Sequence, residues 1–355
     1  MSDTPDVLLL SLGTTLGWRV ADRLFLEQLE RAGVSTAAVS VRFGAAGRLR
    51  RAYPVNDLVE AVAARRALHS ALRTQRPRAL VISTTTAAML AEPASLPYAI
   101  RLDAPACLNR PGSQNAALHA LERRALSRAA LVLPWSQAAL AALPAEAAPA
   151  VVVPPAVERS AKLVWKRERL AVAYTPDVKA KGLDIVCAAW AAAALKDARL
   201  RIFGVERDVA MAYLRRTHTA VPESVEFAGW RPAAEFRSAL RRAWAYVGGA
   251  RWEDFGQAPL EALADGALLA TIPSGGPFEA LALARDLEPR LVAPSLDPAA
   301  LAAALRAAFE LPDREMRSYR ERAAVLLERF RPEAIQRVVE REVAPVLLTG
   351  RAGPR

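Results

Sequence analysis

Cysteine, histidine and lysine are all scarce in this chain of 355 residues, and each scarcity removes a class of chemistry. Cys107 and Cys187 are far apart, and His69, His119 and His218 stand singly, so no zinc-ligand spacing occurs. No Asp-x-Asp element sits in a metal-binding context either, and neither metal nor other cofactor is expected. No apolar run reaches the roughly 18 residues of a membrane-spanning helix. The N-terminus has Asp3 and Asp6 where a signal peptide carries positive charge. Its short apolar run reads as a first strand, and the expected location is the cytoplasm. Lysine is confined to Lys162, Lys166, Lys179, Lys181 and Lys196, so the formal charge of +11 is almost entirely arginine in an Ala-rich background. That pattern is a compositional bias first.

Part of the charge is nevertheless local. From Arg42 to Arg78 the chain carries Arg48, Arg50, Arg51, Arg65, Arg66, Arg73 and Arg76, against only Asp57 and Glu60. Solvated helix faces account for such a run. Attraction to an anionic membrane surface or a phosphorylated acceptor is the second reading. Nucleic acid is not expected as a partner, because no aromatic residues interleave with the basic ones.

What is abundant is alternation. With 53% hydrophobic and 24% charged residues the composition is globular, and the length suits two domains. Apolar β-type runs at Val7–Leu12, Ser35–Val41, Ala79–Ile82, Tyr98–Leu102, Ala130–Leu133 and Ala150–Val153 alternate with helical patterns such as Arg19–Arg31 and Leu58–Leu72. The segment VVVPPAV, Val151–Val157, forbids helix and reads as a stiff connector. A second series follows, with strands expected at Leu170–Tyr174, Leu200–Phe203, Val225–Ala228, Ala245–Gly248, Leu268–Thr271 and Arg290–Val292. Alternation of this kind implies doubly wound parallel sheets. The expected architecture is α/β, with two Rossmann-like domains facing each other across a cleft. Residues 1–153 form the first, 154–331 the second, and a C-terminal helical stretch, 332–355, returns to the first. Ligands of such sheets sit beyond the carboxyl ends of the strands.

The stretch Gly248–Glu279 carries the most chemistry: GGARWEDFGQAPLEALADGALLATIPSGGPFE. It reads as strand, loop, helix, turn, strand and Gly-rich loop. Phe255 and Gly256 close the loop, Pro259 falls in the first helical turn, and Gly266 ends the helix as a left-handed cap. Unpaired N–H groups around Gln257 and Ala258 suit phosphate oxygens. Glu253 and Glu261 bracket this helix start. Gly275 and Gly276 supply a second turn where backbone can approach a ligand.

These residues resemble the retaining glycosyltransferases of family 4, also called group 1. Glu253, Phe255, Gly256, Glu261 and Ala262 match that family's paired-Glu signature, and Gly266, Gly275, Gly276 and Glu279 continue it. Lys181-Gly182-Leu183-Asp184 looks like its Lys-Gly turn, and LRIFG and VEFAG look like its strand-plus-Gly landmarks. The resemblance covers about residues 150–340, and the N-terminal half by topology. It implies the two-Rossmann fold known as GT-B and transfer of a hexose from a nucleotide-diphosphate sugar to a glycan, glycolipid or small-molecule acceptor. It further implies that Glu261 holds the donor's ribose, Glu253 the transferred sugar, and Lys181 the diphosphate. An ordinary surface role is the alternative for each.

The chain departs from the family where an Arg usually precedes the Lys-Gly turn, since Thr175 and Pro176 stand there instead. Lys179 or Arg251 are the candidates to supply the missing charge. In the N-terminal half, Gly17 of the GTTLG turn is a candidate donor contact, and Asp103, at the end of YAIRLD, a candidate catalytic residue beside the sugar. A tight turn for the first, and an N-cap or Arg101 partner for the second, are the competing readings. Two other functions remain open: a weakened nucleotide-sugar binder or assembly protein, and a sugar-nucleotide epimerase, which the scarcity of histidine disfavours.

Overall fold

In the computed structural model, residues 4–43, 55–91, 93, 96–162, 164–165 and 167–350 are described. Arg48, Arg50, Arg51 and Lys166 fall outside them. By contacts the chain divides into one unit of Met1–Ala156 with Pro332–Arg355, and another of Val157–Arg331.

The first unit runs β1 (Val7–Ser11), α1 (Leu16–Arg31), β2 (Thr36–Ser40), α2 (Val55–Thr74), β3 (Ala79–Ser83), α3 (Thr85–Ala88), β4 (Tyr98–Leu102), α4 (Ala106–Asn109), α5 (Ala116–Arg128), β5 (Leu131–Pro134) and α6 (Gln137–Ala141). Its five strands are all parallel in the order β2-β1-β3-β4-β5. Strand β1 is buried throughout, and its residues divide between two cores as the pleat demands. Leu8 and Leu10 join Leu80, Ile82, Ile100, Ala64, Leu68 and Leu126 on one face. Val7 and Leu9 join Phe25, Leu29 and Val81 on the other, where Ile335, Val339, Val343 and Leu347 also pack. Those last four come from α14 (Pro332–Val338), a π-helical turn at Val339–Val343 and α15 (Ala344–Thr349). Pro345 cannot donate to the helical ladder, which explains the widened turn before it.

The second unit runs β6 (Glu168–Tyr174), α7 (Leu183–Ala193), β7 (Arg199–Phe203), α8 (Arg207–Arg216), β8 (Val225–Gly229), α9 (Ala233–Arg242), β9 (Ala243–Gly248), α10 (Gln257–Ala264), β10 (Leu268–Thr271), α11 (Glu279–Leu287), α12 (Pro298–Glu310) and α13 (Asp313–Leu326). Again five strands lie parallel, ordered β10-β9-β6-β7-β8. Strand order reverses between β6 and β9, and the carboxyl ends of the strands at such a reversal are where ligands of these sheets bind.

Both sixth strands expected from sequence are corrected by the structure. Ala150–Val153 lies extended along β5 and exchanges backbone hydrogen bonds with it, yet forms only a single bridge, Val132 to Ala150. Pro154 and Pro155 stop any longer ladder. At Arg290–Val292 the backbone coils into a 3₁₀ turn, Pro289–Leu291, and only Val292 bridges to Thr271. Pro289 sets the φ for that turn. Among the described residues no helix is long and apolar enough to cross a membrane.

At the reversal point of the first sheet, between β1 and β3, lies a buried polar knot. Asp22 of α1 accepts from Ser11 Oγ at 2.5 Å, Ser83 Oγ at 2.6 Å and Arg101 Nη1 at 2.5 Å. Arg101 is 1% exposed and stacks its guanidinium 4.4 Å from the Phe25 ring centre. A buried guanidinium stripped of its carboxylate has no compensation in the core. Asp22→Ala is therefore expected to cost about 3–5 kcal/mol, measured as the loss in unfolding free energy by guanidinium titration. A loss under about 1 kcal/mol, the range of a solvated pair, would contradict this account.

Candidate functional site

The loop after β6 begins with Thr175, whose N–H continues the ladder to Phe203 O at 2.9 Å. Asp177 then folds the chain back, its Oδ1 accepting from Lys179 N at 3.0 Å and Ala180 N at 2.9 Å. This side-chain turn replaces the backbone partners the segment lacks. Gly182 closes it at φ +61° and leads into α7. A side chain at Gly182 would run into the Gly249 carbonyl, so the β6 and β9 loops touch here backbone to backbone. Arg251 N donates to Ala180 O at 2.9 Å and ties the second loop to the first.

That contact brings Lys181 and Glu253 together: Nζ to Oε1 is 2.6 Å, with side chains 26% and 13% exposed. Burial raises the Glu253 carboxyl above its ordinary range, against the attraction of Lys181. Gly275 and Gly276 hold the Glu253 loop from its other side. Glu253 N donates to Gly275 O at 3.0 Å, Gly275 N donates to Arg251 O at 3.1 Å, and a Cβ at Gly276 would overlap the Glu253 carbonyl. These two glycines thus have a packing reason to be glycine, which sequence alone did not supply.

Gly256 starts α10 at φ +85°, as N-cap with no side-chain cap, and a Cβ there would meet the Phe278 ring. Gln257 and Ala258 fall in the first turn, where N–H groups precede the helical ladder. Glu261 follows one turn on. Its carboxylate accepts from Gln257 Nε2 at 3.2 Å and lies 3.7 Å from Arg237 Nη1. Burial raises the Glu261 carboxyl, with Arg237 opposing. Gly266, at φ +80°, caps the far end as expected, and the buried Arg167 donates to the Asp265 carbonyl there at 2.5 Å. Such donation satisfies carbonyls that the helix leaves open.

Two residues offered for the missing charge fare differently. Arg251 is held by Asp184, at 2.6 and 3.0 Å, and donates to the Lys179 carbonyl at 3.0 Å. Against the cost of burial, these hydrogen bonds hold Asp184 below the usual carboxylate range. The charge of Arg251 is already matched. Lys179 is exposed on the turn itself.

Gly17 and Asp103 belong to the first unit. Gly17 lies not in a loop but inside the first turn of α1, which Thr15 caps by accepting from Trp18 N at 3.2 Å. Asp103 accepts from Trp18 Nε1 at 3.0 Å and from Ala104 N at 2.8 Å. Arg101 is not its partner, being committed to Asp22. Arg237, which touches both Glu261 and Asp265, was missed by sequence reasoning. Nothing in one sequence marks an arginine of α9, among so many arginines, as the neighbour of α10. Among the described residues no three His, Cys, Asp or Glu side chains converge as metal ligands would.

With this geometry in view, the comparisons are specific. Residues 158–325 match the family described as glycosyl transferases group 1. No curated protein sequence matches the chain. Solved structures do at the level of fold. Sucrose-phosphate synthase from Thermosynechococcus elongatus superposes with a TM-score of 0.72 at 16% identity, over 93% of this chain and 96% of that one. Anabaena HepE, in complex with UDP and glucose, gives 0.70 at 15%, over 94% and 98%. An E. coli structure described as trehalose-6-phosphate, bound with UDP-2-fluoro glucose, gives 0.68 at 12%, over 93% and 97%. The second unit of this chain carries a group 1 glycosyltransferase domain, and the chain is a glycosyltransferase.

Two outcomes follow for the site. Gly182→Ala is expected to drive the β6 and β9 loops apart, lowering nucleotide-sugar affinity at least tenfold while the circular dichroism spectrum stays native. Affinity equal to wild type by titration calorimetry would contradict the packing argument. Because burial raises both Glu253 and Glu261, each is half protonated at a higher pH than an ordinary glutamate. Only the ionised carboxylates accept hydrogen bonds from ligand hydroxyls without donating. Affinity should therefore fall with decreasing pH earlier than protonation of an ordinary glutamate would cause. In Glu261→Gln that pH dependence should flatten, measured by calorimetry in matched buffers.

Proposed function

We propose that the protein is a retaining hexosyltransferase that takes its sugar from a nucleotide diphosphate, without metal assistance, and delivers it to a glycan, glycolipid or small-molecule acceptor. The observation that carries this reading is the Lys181–Glu253 pair, 2.6 Å apart at the reversal point of the second sheet, beside the open start of α10. The residues stand in the part of the chain that matches the group 1 family. That HepE binds UDP-glucose and another neighbour UDP-2-fluoro glucose supports a uridine nucleotide as donor. That a further neighbour, trehalose-6-phosphate synthase, transfers with retention supports the same stereochemistry here.

In this reading the ribose hydroxyls donate to Glu261, and the transferred sugar's hydroxyls to Glu253. Lys181, Lys179 and the N–H groups at Gln257 and Ala258 face the diphosphate, with Gly256, Gly275 and Gly276 keeping the surrounding loops close. The bond from the anomeric carbon to the phosphate oxygen breaks, and the acceptor oxygen bonds to that carbon on the same face. The acceptor's proton passes to a phosphate oxygen of the departing diphosphate. Positive charge stabilises the leaving group, and placement does most of the rest. Within the first unit, Asp103 is oriented by Trp18, and Gly17 stands in the first turn of α1.

For the acceptor side we infer a lipid-linked or membrane-adjacent substrate. Helix α2 exposes Arg65, Arg66 and Arg73 together with Val55 and Leu58, at 50% and 53%. A groove between β2 and α2 combines Phe43, Leu58 and Val62 with Arg42 and Arg66. Apolar and basic side chains so mixed favour an anionic interface.

The test is incubation with UDP-, GDP- and dTDP-sugars, with and without EDTA, scored by release of free nucleotide diphosphate. Slow hydrolysis that EDTA leaves intact, a drop in turnover of 100-fold or so in Lys181→Ala, and weaker donor binding in Glu261→Ala are expected. Wild-type activity in both variants, or loss on chelation restored by manganese, would refute this assignment. Saturable donor binding with no turnover would instead favour a weakened nucleotide-sugar binder, the reading that Pro176 and the Asp184-bound Arg251 favour.

A further inference from the structure

Beneath the Lys181–Glu253 pair lies a cavity of about 10 Å³, enough for one water-sized group. Lys181 and Glu253 form part of its wall, and Thr175 and Ser274 form another part. These last two are 2% and 6% exposed, yet the Oγ1 of Thr175 and the Oγ of Ser274 have no hydrogen-bond partner. Two unpaired buried hydroxyls on residues lining one small cavity are costly in a protein interior, where nearly all polar atoms are paired. By contrast Thr271, on the same cavity, donates to the Gly248 carbonyl at 3.3 Å and is satisfied internally.

We propose that Thr175 and Ser274 bind a hydroxyl group of the transferred sugar in this cavity, as residues that set sugar specificity. The inference rests on the donor reading given above and adds two contacts to it. The chemistry of the wall selects the ligand group. A carboxylate only accepts hydrogen bonds, and an ammonium only donates them. A phosphate oxygen, which only accepts, is repelled by Glu253. A sugar hydroxyl both donates and accepts: it donates to Glu253 and takes a hydrogen bond from the hydroxyl of Thr175 or Ser274, whose protons are free to turn toward it. A site built around hydrogen bonds to a ligand hydroxyl discriminates sharply against ligands lacking it.

The experiment compares UDP with UDP-glucose by titration calorimetry and thermal shift in wild type, Thr175→Val, Ser274→Ala and Thr175→Ser. Valine keeps the shape of threonine, so the fold is expected to persist with a melting temperature no lower than wild type. Should Thr175→Val fail to fold, Ser274→Ala and Thr175→Ser carry the comparison. The expected result is unchanged affinity for UDP, affinity for UDP-glucose about tenfold weaker in Thr175→Val and Ser274→Ala, and near-wild-type affinity in Thr175→Ser. The set of monodeoxy UDP-glucose analogues should contain one whose binding to wild type is weakened alike and is insensitive to the substitutions. Unchanged affinity for both UDP and UDP-glucose would overturn the proposal, leaving the cavity to a fixed water. Equal weakening of both would overturn it too, as a general distortion of the loops. If wild type binds neither these nor GDP-mannose or dTDP-glucose, the donor reading itself fails, which is a different result from either.

Discussion

The contact between Lys181 and Glu253 is the constraint around which the second unit is arranged. Neither residue stands in a strand or helix, and nothing local fixes where its side chain points. Their meeting depends on two loops that leave adjacent strands, β6 and β9, in a sheet whose winding changes direction between them. The Asp177 turn sets the first loop, the Gly275–Gly276 turn buttresses the second, and Gly182 allows the two backbones to touch. An ion pair at 2.6 Å with both side chains largely withdrawn from water is worth little as a source of stability, because desolvation offsets its attraction. On the proposed reading it is a pair of charges held ready, each exchanging its partner for a group on a ligand.

The same reversal of strand order occurs in the first sheet and is used otherwise. Between β1 and β3 the strand ends converge on Asp22, which gathers Ser11, Ser83 and Arg101 into a buried knot. Trp18 and Trp135 cover Arg101 with their rings, and Trp18 passes its indole N–H to Asp103. A charged pair here fixes how α1 lies on its sheet. Asp103 is a carboxylate outside the knot, at the strand end where ligand chemistry on such sheets is found. One unit closes its reversal point with a buried network, and the other places a part-exposed ion pair there.

The sequence was most readable where strands are buried on both faces, because such strands are continuous apolar runs with no alternation to misjudge. VLLLS and ALVIS are unmistakable in this respect, and their residues divide between two cores as expected. Ala150–Val153 and Arg290–Val292 have equally apolar text and failed as strands, since prolines at 154, 155 and 289 cut the ladders to single bridges. The glycines and the two glutamates of the β9–α10 region were legible as a pattern, but their geometry was not. That Glu253 meets Lys181, and Glu261 meets Arg237, depends on tertiary approach between residues far apart in sequence. Buried charges were the least legible of all. In a chain so rich in arginine, nothing distinguishes Arg101, Arg167 or Arg237 from arginines on the surface until their burial is seen.

This last point bears on the missing arginine at Pro176. On the proposed reading a diphosphate must leave, and leaving requires positive charge at the phosphate oxygens. The chain has cations nearby, but two are already matched: Arg251 by Asp184, and Arg237 by Glu261 and Asp265. Lys181 is matched as well, by Glu253, the carboxylate proposed to turn to the sugar. A sugar hydroxyl that takes over the Glu253 oxygen would release Lys181 toward the phosphate at the same moment. Correct sugar binding and activation of the leaving group would then be one event, governed by a single ion pair. An enzyme with a permanent arginine at position 176 would have charge on the diphosphate whatever the sugar. Here the charge would become available only when the sugar's hydroxyls fit, so the loss of one fixed cation ties turnover more closely to recognition.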